Sequence, residues 1–507
     1  DVYKRQAKYD TMINKMNGIK DECYKIFADT LVMVHLVNPS LDKQLEKRVA
    51  EDFGYVKKTF KEICGKAWNK INWSVEGDSL LELLAGYAGE DTYWTTKVFY
   101  KYNPLMDEDA HRIHDRIELP LIPILRDAKI RGVLIDVPLL KEMGEQITAE
   151  LPKILDEVYD ECGCVFNLNS AKQKAAVFFD KMKLPIVSYS KKTGAPSTDA
   201  ATFEEWDSMG IRVGALMNEY SELNKLYTGY VKAIPNLVDE HSVLRGDLNS
   251  CGTKTGRFAS TGPNLQNQPN NYHFPIREAF VPRPGYKFVN YDYSQLELRV
   301  MAHMSKDERF MDIFLHGRDP HGEVAKACNI TRKQAKVMNF GVLYGMGIGK
   351  YMRTFNVAKE RAIEMIDNYH KSYIGFAHWK ATENFARKHG YVKNLFGRIR
   401  VFKETTKSKF PRNEAMYYAE LRQAVNTIIQ GTGADIVKLA TIAMCRKFKE
   451  LNLDAHFLLQ VHDEVLIEVR EDQMMECEKV VIDCMENTVK LDVPLIADGK
   501  ILANWGE

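Results

Sequence analysis

Lys287-Phe288-Val289-Asn290-Tyr291-Asp292, followed by Tyr293-Ser294-Gln295-Leu296-Glu297-Leu298-Arg299, is the stretch on which the reading of this 507-residue chain turns. Aromatic and β-branched side chains dominate the first six residues, which predicts a strand ending at Asp292. From Gln295 to Met304 the spacing of apolar residues changes to that of a helix. Asp292 therefore sits where a strand hands over to a helix. A second carboxylate has a comparable setting. The apolar arms Phe457-Leu458-Leu459 and Val465-Leu466-Ile467 flank Val461-His462-Asp463-Glu464, a tight hairpin pattern with Asp463 at its tip. If the two strands are neighbours in one antiparallel sheet, residues 171 positions apart in sequence meet at one edge. Such a pair could hold two divalent ions ~4 Å apart, the geometry of in-line phosphoryl displacement. Hard oxygen ligands favour Mg²⁺. Taken singly, each aspartate reads as well as a turn residue; the pairing carries the argument.

Between the two lies text that is almost wholly helical, over residues 320–448. Thr331 and Gln334 form a capping-box pattern, so a helix is expected to begin at Arg332. Along it Arg332, Lys336, Phe340 and Tyr344 recur every four residues and make one slowly drifting stripe. Two cations and two rings on one stripe suit a nucleoside triphosphate, the cations meeting phosphates and the rings meeting sugar and base. The same stripe also fits an ordinary amphipathic face. Net charge is only +1, yet residues 321–402 hold 15 Lys/Arg against 5 Asp/Glu. That local excess is what a binder of phosphate backbone shows.

With these residues in view, the chain resembles the DNA polymerase I-like family A of DNA polymerases. Asp292–Arg299 resembles its motif A, Arg332-x3-Lys336-x3-Phe340-Gly341-x2-Tyr344-Gly345 its motif B, and Val461–Glu464 its motif C. Thr255-Gly256-Arg257 and Pro263-Asn264-Leu265-Gln266-Asn267 match the template-primer segment. Phe396-Gly397-Arg398 and Arg422-x3-Asn426-x3-Gln430-Gly431 also fit, in the family order, over about 113–507.

The resemblance implies an α+β right-hand polymerase, with an antiparallel palm sheet and helical thumb and fingers, behind a partial RNase H-like 3′–5′ exonuclease domain. The expected segments are 1–112 exonuclease-like, 113–245 thumb, 246–304 palm, 305–425 fingers and 426–507 palm. It implies template-directed addition of deoxynucleotides to a primer, with two Mg²⁺ ions for which Mn²⁺ can substitute. Asp292 and Asp463 would bind the metals with the Tyr293 carbonyl, Glu464 being a supporting carboxylate. Arg332 and Lys336 would grip the triphosphate, Lys336 also as general acid, and His321 would approach the phosphates. Gln295 joins the nucleotide site, and Phe340 would lie beside the sugar. Tyr344 would hold the template base's slot, and Glu297 would be the steric gate against a 2′-OH. Arg257, Asn264, Gln266, Asn267, Arg299, Arg422, Asn426, Gln430 and His462 are expected at primer-template DNA. In this family Phe at position 340 implies resistance to dideoxynucleotides. Ten residues between His321 and Arg332 make a short fingers segment, closer to phage-borne members.

At the front, Ala7-Lys8-Tyr9-Asp10 and Tyr87-x3-Asp91 resemble the second and third proofreading motifs, with no D-x-E strand ahead of Asp10. A cut fragment without useful proofreading is expected, and Asp1–Gln6 is no signal peptide. Nine scattered cysteines without C-x-x-C argue against zinc or a disulfide framework and for a reducing cytosol, in a bacterial or phage-infected cell. No uninterrupted apolar run reaches the ~18 residues of a membrane span. A monomer acting on primer-template DNA and dNTPs is expected. The main rivals are a single-subunit RNA polymerase, against which Glu297 argues, a silent DNA-binding remnant and a metal-dependent nuclease.

Overall fold

The computed structural model describes the chain except residues 1, 5–6, 59–61, 63–76, 191–192, 270–272, 345, 374, 376 and 403–413. Gly345, the last residue of the helix-borne motif, therefore lies outside the described residues. The chain divides into two compact units. The first comprises Asp1–Arg131, Gly246–Gln266 and Gly285–Ile501; the second comprises Gly132–Arg245, Asn267–Pro284 and Leu502–Glu507. This is a coarser cut than the five expected segments, and the second unit opens at Gly132 rather than at 113.

The elements that position the site belong to the first unit. They are strand β1 (Tyr286–Tyr293) and helices α1 (Leu296–Ser305), α2 (Pro320–Cys328), α3 (Arg332–Leu343), α4 (Ile348–Phe355), α5 (Lys359–Ser372) and α6 (Glu414–Glu450), followed by strands β2 (Ala455–Val461), β3 (Glu464–Arg470) and β4 (Ala497–Leu502). The strands form one sheet in the order β2-β3-β1-β4. Strand β3 is central and its interior residues Val465–Val469 are buried, as expected of a strand covered on both faces. Its antiparallel register against β1 places Glu464 opposite Asp292 and Val465 opposite Tyr291. At the other edge Gly499 is required by close approach, since a Cβ there would overlap the Asn290 carbonyl and Tyr291.

Local signals explain where the helices start. Asp319 caps α2 through the amides of His321 and Gly322, and Thr331 and Gln334 form the reciprocal capping box of α3. Helix α6 is, among the described residues, long and apolar enough to cross a membrane by length and composition. However, 67% of its most apolar window is buried inside the protein, as in a core helix. Asp435 and Lys438 interrupt its apolar text, so it forms no uninterrupted apolar run.

Those two interruptions belong to a buried ion quartet. Glu118, Asp435 and Lys438 are fully buried, and Arg398 is 4% exposed. Arg398 Nη2 donates to Glu118 Oε1 and to Asp435 Oδ1, each at 2.6 Å, and Lys438 Nζ donates to Glu118 Oε1 at 2.7 Å. Lys438 also reaches the Ser250 carbonyl, and Asn394 Nδ2 donates to Asp435 Oδ2 at 2.7 Å. Two cations and two anions cancel, which is the condition for burying charge at all.

The region 320–448 departs from the all-helical expectation. Tyr391–Lys393 and Ile399–Val401 form an antiparallel hairpin. Asn394 Oδ1 accepts the amides of Phe396 and Arg398, and Gly397 takes φ 96°, so a polar turn overrides the helical text around it. Two short strands, Asp247–Asn249 and Ala259–Thr261, also pair with each other in the Gly- and Ser-rich stretch ahead of Pro263.

In the second unit, Asp136 caps the long helix Val137–Cys162, which ends at Gly163 in the left-handed region. Phe178, Phe203 and Trp206 pack into a buried aromatic cluster. A further helix of this unit breaks up toward its end. It runs Arg212–Leu226, loosens into a π turn at Tyr227–Val231 and closes with a 3₁₀ turn at Ile234–Asn236, where Pro235 cannot supply an amide donor.

Candidate active site

The sheet register brings the two predicted aspartates to one edge. Asp292 is the last residue but one of β1, and Asp463 occupies the two-residue turn between β2 and β3, with His462 before it at φ 55°. The Tyr293 amide donates to the Asp463 carbonyl at 3.3 Å, tying the turn to the strand end. Asp292 is open to solvent and Asp463 half-buried. Desolvation, then the charges of Asp463 and Glu464, push the Asp292 carboxyl up to about 7; its open side chain tempers the desolvation part. Burial, with the Glu297 charge adding and Arg257 opposing, pushes Asp463 up to about 6. Carboxylates that repel one another in this way are what a divalent cation would relieve. Among the described residues no group of three or more His, Cys, Asp or Glu side chains stands ready to hold a metal. A carboxylate pair alone would hold a divalent ion only with other oxygen ligands, such as water, completing its coordination.

Around this edge the remaining predicted residues fall into a connected set. Glu297, 8% exposed, accepts from Arg257 Nη2 and from the Tyr344 hydroxyl, so the first turn of α1 is bound both to the 255–257 loop and to the end of α3. Gln430 on α6 also bonds the Tyr344 hydroxyl. Phe340 and Tyr344 stack with ring centroids 6.2 Å apart, and the His321 ring lies 6.1 Å from Phe340. Arg332 and Lys336 are exposed on the same helix, and Arg332 Nε is paired with Asp319 Oδ2 at 2.6 Å. Burial, with Arg332 and Lys336 nearby, lowers the His321 pKa below the ordinary value, and Asp319 only partly opposes this. Gln295 opens α1 at φ 56° with its Oε1 buried and unpartnered, and Asn426 Oδ1 on α6 is likewise buried without a partner.

Other predicted residues are placed differently. Arg299, expected at DNA, is 6% exposed. It donates from Nε to the Ser294 carbonyl at 2.8 Å and from Nη1 to the Pro494 carbonyl at 2.6 Å, and it lies over the Phe314 ring. Its role is to hold the backbone that follows Asp292, a correction to the DNA-contact expectation. The reason is burial, which turns a guanidinium toward carbonyls. Gln266 Nε2 bonds the Gln460 carbonyl and side chain, and Asn264 Oδ1 accepts the Gln266 amide. In the second unit the Asn267 carbonyl accepts from Tyr230. Arg422 and His462 are exposed. At the front, Asp10 lies on the helix Ala7–Met16, while Asp91 pairs with the buried Lys57 Nζ at 2.9 Å, and that amine sits 3.6 Å from the Tyr87 ring centre. Asn339 and Tyr369 carry no sequence signal, since neither belongs to the four-residue repeat of Arg332, Lys336, Phe340 and Tyr344.

Residues 137–507 match the model of DNA polymerase family A. The chain belongs to this family. Family A relatives align along nearly its whole length. DNA polymerase I of Pseudomonas aeruginosa is 31% identical over 99% of this chain and 56% of its own length. DNA polymerase I of Bacillus subtilis is 33% identical over 94% of this chain and 54% of its own. The chain spans about half the length of the curated relatives it matches. Among solved structures, the POL domain of Pol1 from M. smegmatis, in complex with DNA primer-template and dNTP, superposes with a TM-score of 0.82 at 27% identity. It covers 95% of this chain and 82% of that one. The fold is accordingly that of the family A polymerase domain, mostly helical with antiparallel sheets.

Proposed function

We propose that this chain extends a primer by template-directed DNA synthesis, adding deoxynucleotides to the 3′-OH with release of pyrophosphate. The observation that carries the reading is the register of Glu464 opposite Asp292, which joins two carboxylates at the sheet edge beside a helix bearing Arg332, Lys336, Phe340 and Tyr344. Bound Mg²⁺ would polarise the reacting oxygens and neutralise charge on the triphosphate. Asp292 and Asp463 would hold it, with the Tyr293 carbonyl and Glu464 in support. Lys336 and Arg332 bind and orient the phosphates, and Lys336 also acts as proton donor to the departing pyrophosphate. Arg332 must first leave Asp319, a surface pair worth little in water. Glu297, held from two sides, fills the space of a ribose 2′-OH. Phe340 and Tyr344 form the stacked floor for sugar and base, and Tyr344 must release Glu297 and Gln430 when it swings away.

In this reading the sheet is the palm, α2–α5 are fingers and the second unit contains the thumb. Primer-template DNA is held through Arg257, Arg422, Asn426, Gln430, His462 and the 264–267 segment. The enzyme works as a monomer in the cytoplasm of a bacterial or phage-infected cell, in replication or repair. Proofreading is not among its activities: Lys57 neutralises Asp91, which favours a structural ion pair over a metal ligand at that position.

The test is primer extension on a primed template with Mg²⁺ and dNTPs beside the Asp463→Ala variant. Extension by the parent and none by the variant supports the assignment. A folded, DNA-binding parent that cannot extend would remove it.

A further inference from the structure

Beside the stripe of α3, three buried polar side chains form a line. Asn339 and Tyr369 are fully buried, and His321 is 4% exposed. The Tyr369 hydroxyl donates to Asn339 Oδ1 at 3.0 Å, and Asn339 Nδ2 lies 2.9 Å from His321 Nδ1. Three helices contribute one residue each: α2 gives His321, α3 gives Asn339 and α5 gives Tyr369. The phenol has little freedom to move. Its ring sits 5.1 Å from Tyr373, which packs in turn against Phe310 at 5.2 Å.

An amide can face its neighbours in two ways, and in this structure its Oδ1 faces the phenol. A buried Tyr hydroxyl has one hydrogen, and leaving it without an acceptor is costly. With Oδ1 toward Tyr369 that hydrogen is used, and the amide's Nδ2 must then face the histidine. An N–H aimed at Nδ1 requires a lone pair there. Nδ1 is therefore unprotonated, and the ring hydrogen is on Nε2. An imidazolium would set two donors against each other and is excluded by the same contact.

We propose that Tyr369 and Asn339 are positioning residues that lock His321 as the neutral Nε2–H tautomer, presenting a fixed N–H donor to a phosphate oxygen of the incoming nucleotide. This rests on the polymerase reading above and extends it to residues outside the stripe. The downward shift of the His321 pKa agrees with a neutral ring. The benefit is electrostatic preorganisation. Arg332 and Lys336 supply charge, and His321 adds a directed donor without a third positive charge in a buried place. Tyr369 and Asn339 connect to His321 through this line, so their effects should pass through that residue.

The test has two independent arms. In the first, nitrogen NMR of the histidine-labelled protein reads the tautomer, the His321 signals being assigned by their loss in His321→Gln. The wild type should show protonated Nε2 and bare Nδ1. Asn339→Asp, whose carboxylate accepts from both neighbours, should move the proton to Nδ1 or charge the ring. A wild-type ring protonated at Nδ1, or a ring unchanged in Asn339→Asp, overturns the proposal. This arm needs no catalysis, so it stands or falls apart from the polymerase assignment. In the second arm, Tyr369→Phe should raise the KM for dNTP about tenfold, the size of one charge-assisted hydrogen bond, with kcat changed less than about threefold. The same change in a His321→Gln background should have no further effect. Equal losses in both backgrounds would make Tyr369 a packing residue only. Should Tyr369→Phe fail to fold, Asn339→Asp carries the same kinetic comparison.

Discussion

Lys438→Met would break the buried quartet of Glu118, Arg398, Asp435 and Lys438 while keeping the length of the side chain. At 2.7 Å the Lys438–Glu118 attraction is about 6 kcal/mol with an effective dielectric constant near 20. Most of that is offset by the cost of taking both ions from water, so the pair is no large net gain. Removing one partner is different, because Glu118 keeps its charge with only Arg398 to meet it, and Arg398 is shared with Asp435. The Ser250 carbonyl loses its donor as well. Broken buried pairs of this kind cost about 3–5 kcal/mol. Glu118→Gln combined with Lys438→Met restores neutrality and leaves Arg398–Asp435 intact. It should recover at least about 2 kcal/mol of the loss, a coupling of the size seen for residues in one network. Equilibrium urea unfolding of the wild type, both single variants and the double variant at pH 7.5 measures this. The acid limb adds a sign. Burial alone would raise the Glu118 pKa, but Lys438 and Arg398 hold it well below the usual carboxylate range. A depressed carboxyl contributes stability above its unfolded pKa of about 4.3, which is lost as pH falls toward the folded value. The wild type should therefore lose stability below pH ~4.5 more steeply than the double variant. A Lys438→Met cost under about 1 kcal/mol, or a double variant as weak as the sum of the singles, would refute the reasoning.

Further outcomes follow from the site. Asp292→Ala or Asp463→Ala should lower single-turnover extension by about 10³-fold or more, the scale of lost metal-ion catalysis, with primer-template affinity within about threefold; near-normal rates would contradict the assignment. In metal-free buffer Asp292 and Asp463 have raised pKa values, so their charged forms cost stability at pH 8 and that cost disappears as pH falls below about 4. Asp292→Asn should thus melt above the wild type in EDTA at pH 8 by about 1–3 °C and converge with it at low pH, as a thermal-shift series would read. Glu297→Ala should raise ribonucleotide insertion relative to deoxynucleotide by about tenfold or more; unchanged sugar selectivity would take Glu297 out of the gate. Phe340→Tyr should increase dideoxynucleotide insertion by roughly the tenfold that one hydrogen bond supplies, against a parent that resists it in a terminator-incorporation assay.

The elements carrying the site were legible locally because short-range physics makes them. A strand ending in Asp292, a helix opening at Thr331 and a hairpin around Asp463 each depend on residues within a few positions: alternating apolar side chains, a reciprocal cap and a two-residue turn. The stripe on α3 was legible for the same reason, since helical periodicity alone places Arg332, Lys336, Phe340 and Tyr344 together. What joins these pieces is long-range and was decided by packing. The pairing of Glu464 with Asp292 depends on which strands become neighbours, and a slip of one residue would turn the carboxylates to the other face. The same holds for Arg299, whose sequence context reads as a DNA contact but whose burial turns it to backbone carbonyls. Asn394 and Gly397 make a hairpin where helical text prevailed, because a side chain that satisfies two amides outweighs weak propensity. Glu118 and Lys438 are 320 positions apart, and Tyr369 and Asn339 have no pattern that links them. Each pair is defined only where a low-dielectric interior forces every buried charge and hydroxyl to find a partner, and that requirement acts on the folded chain rather than on any stretch of it.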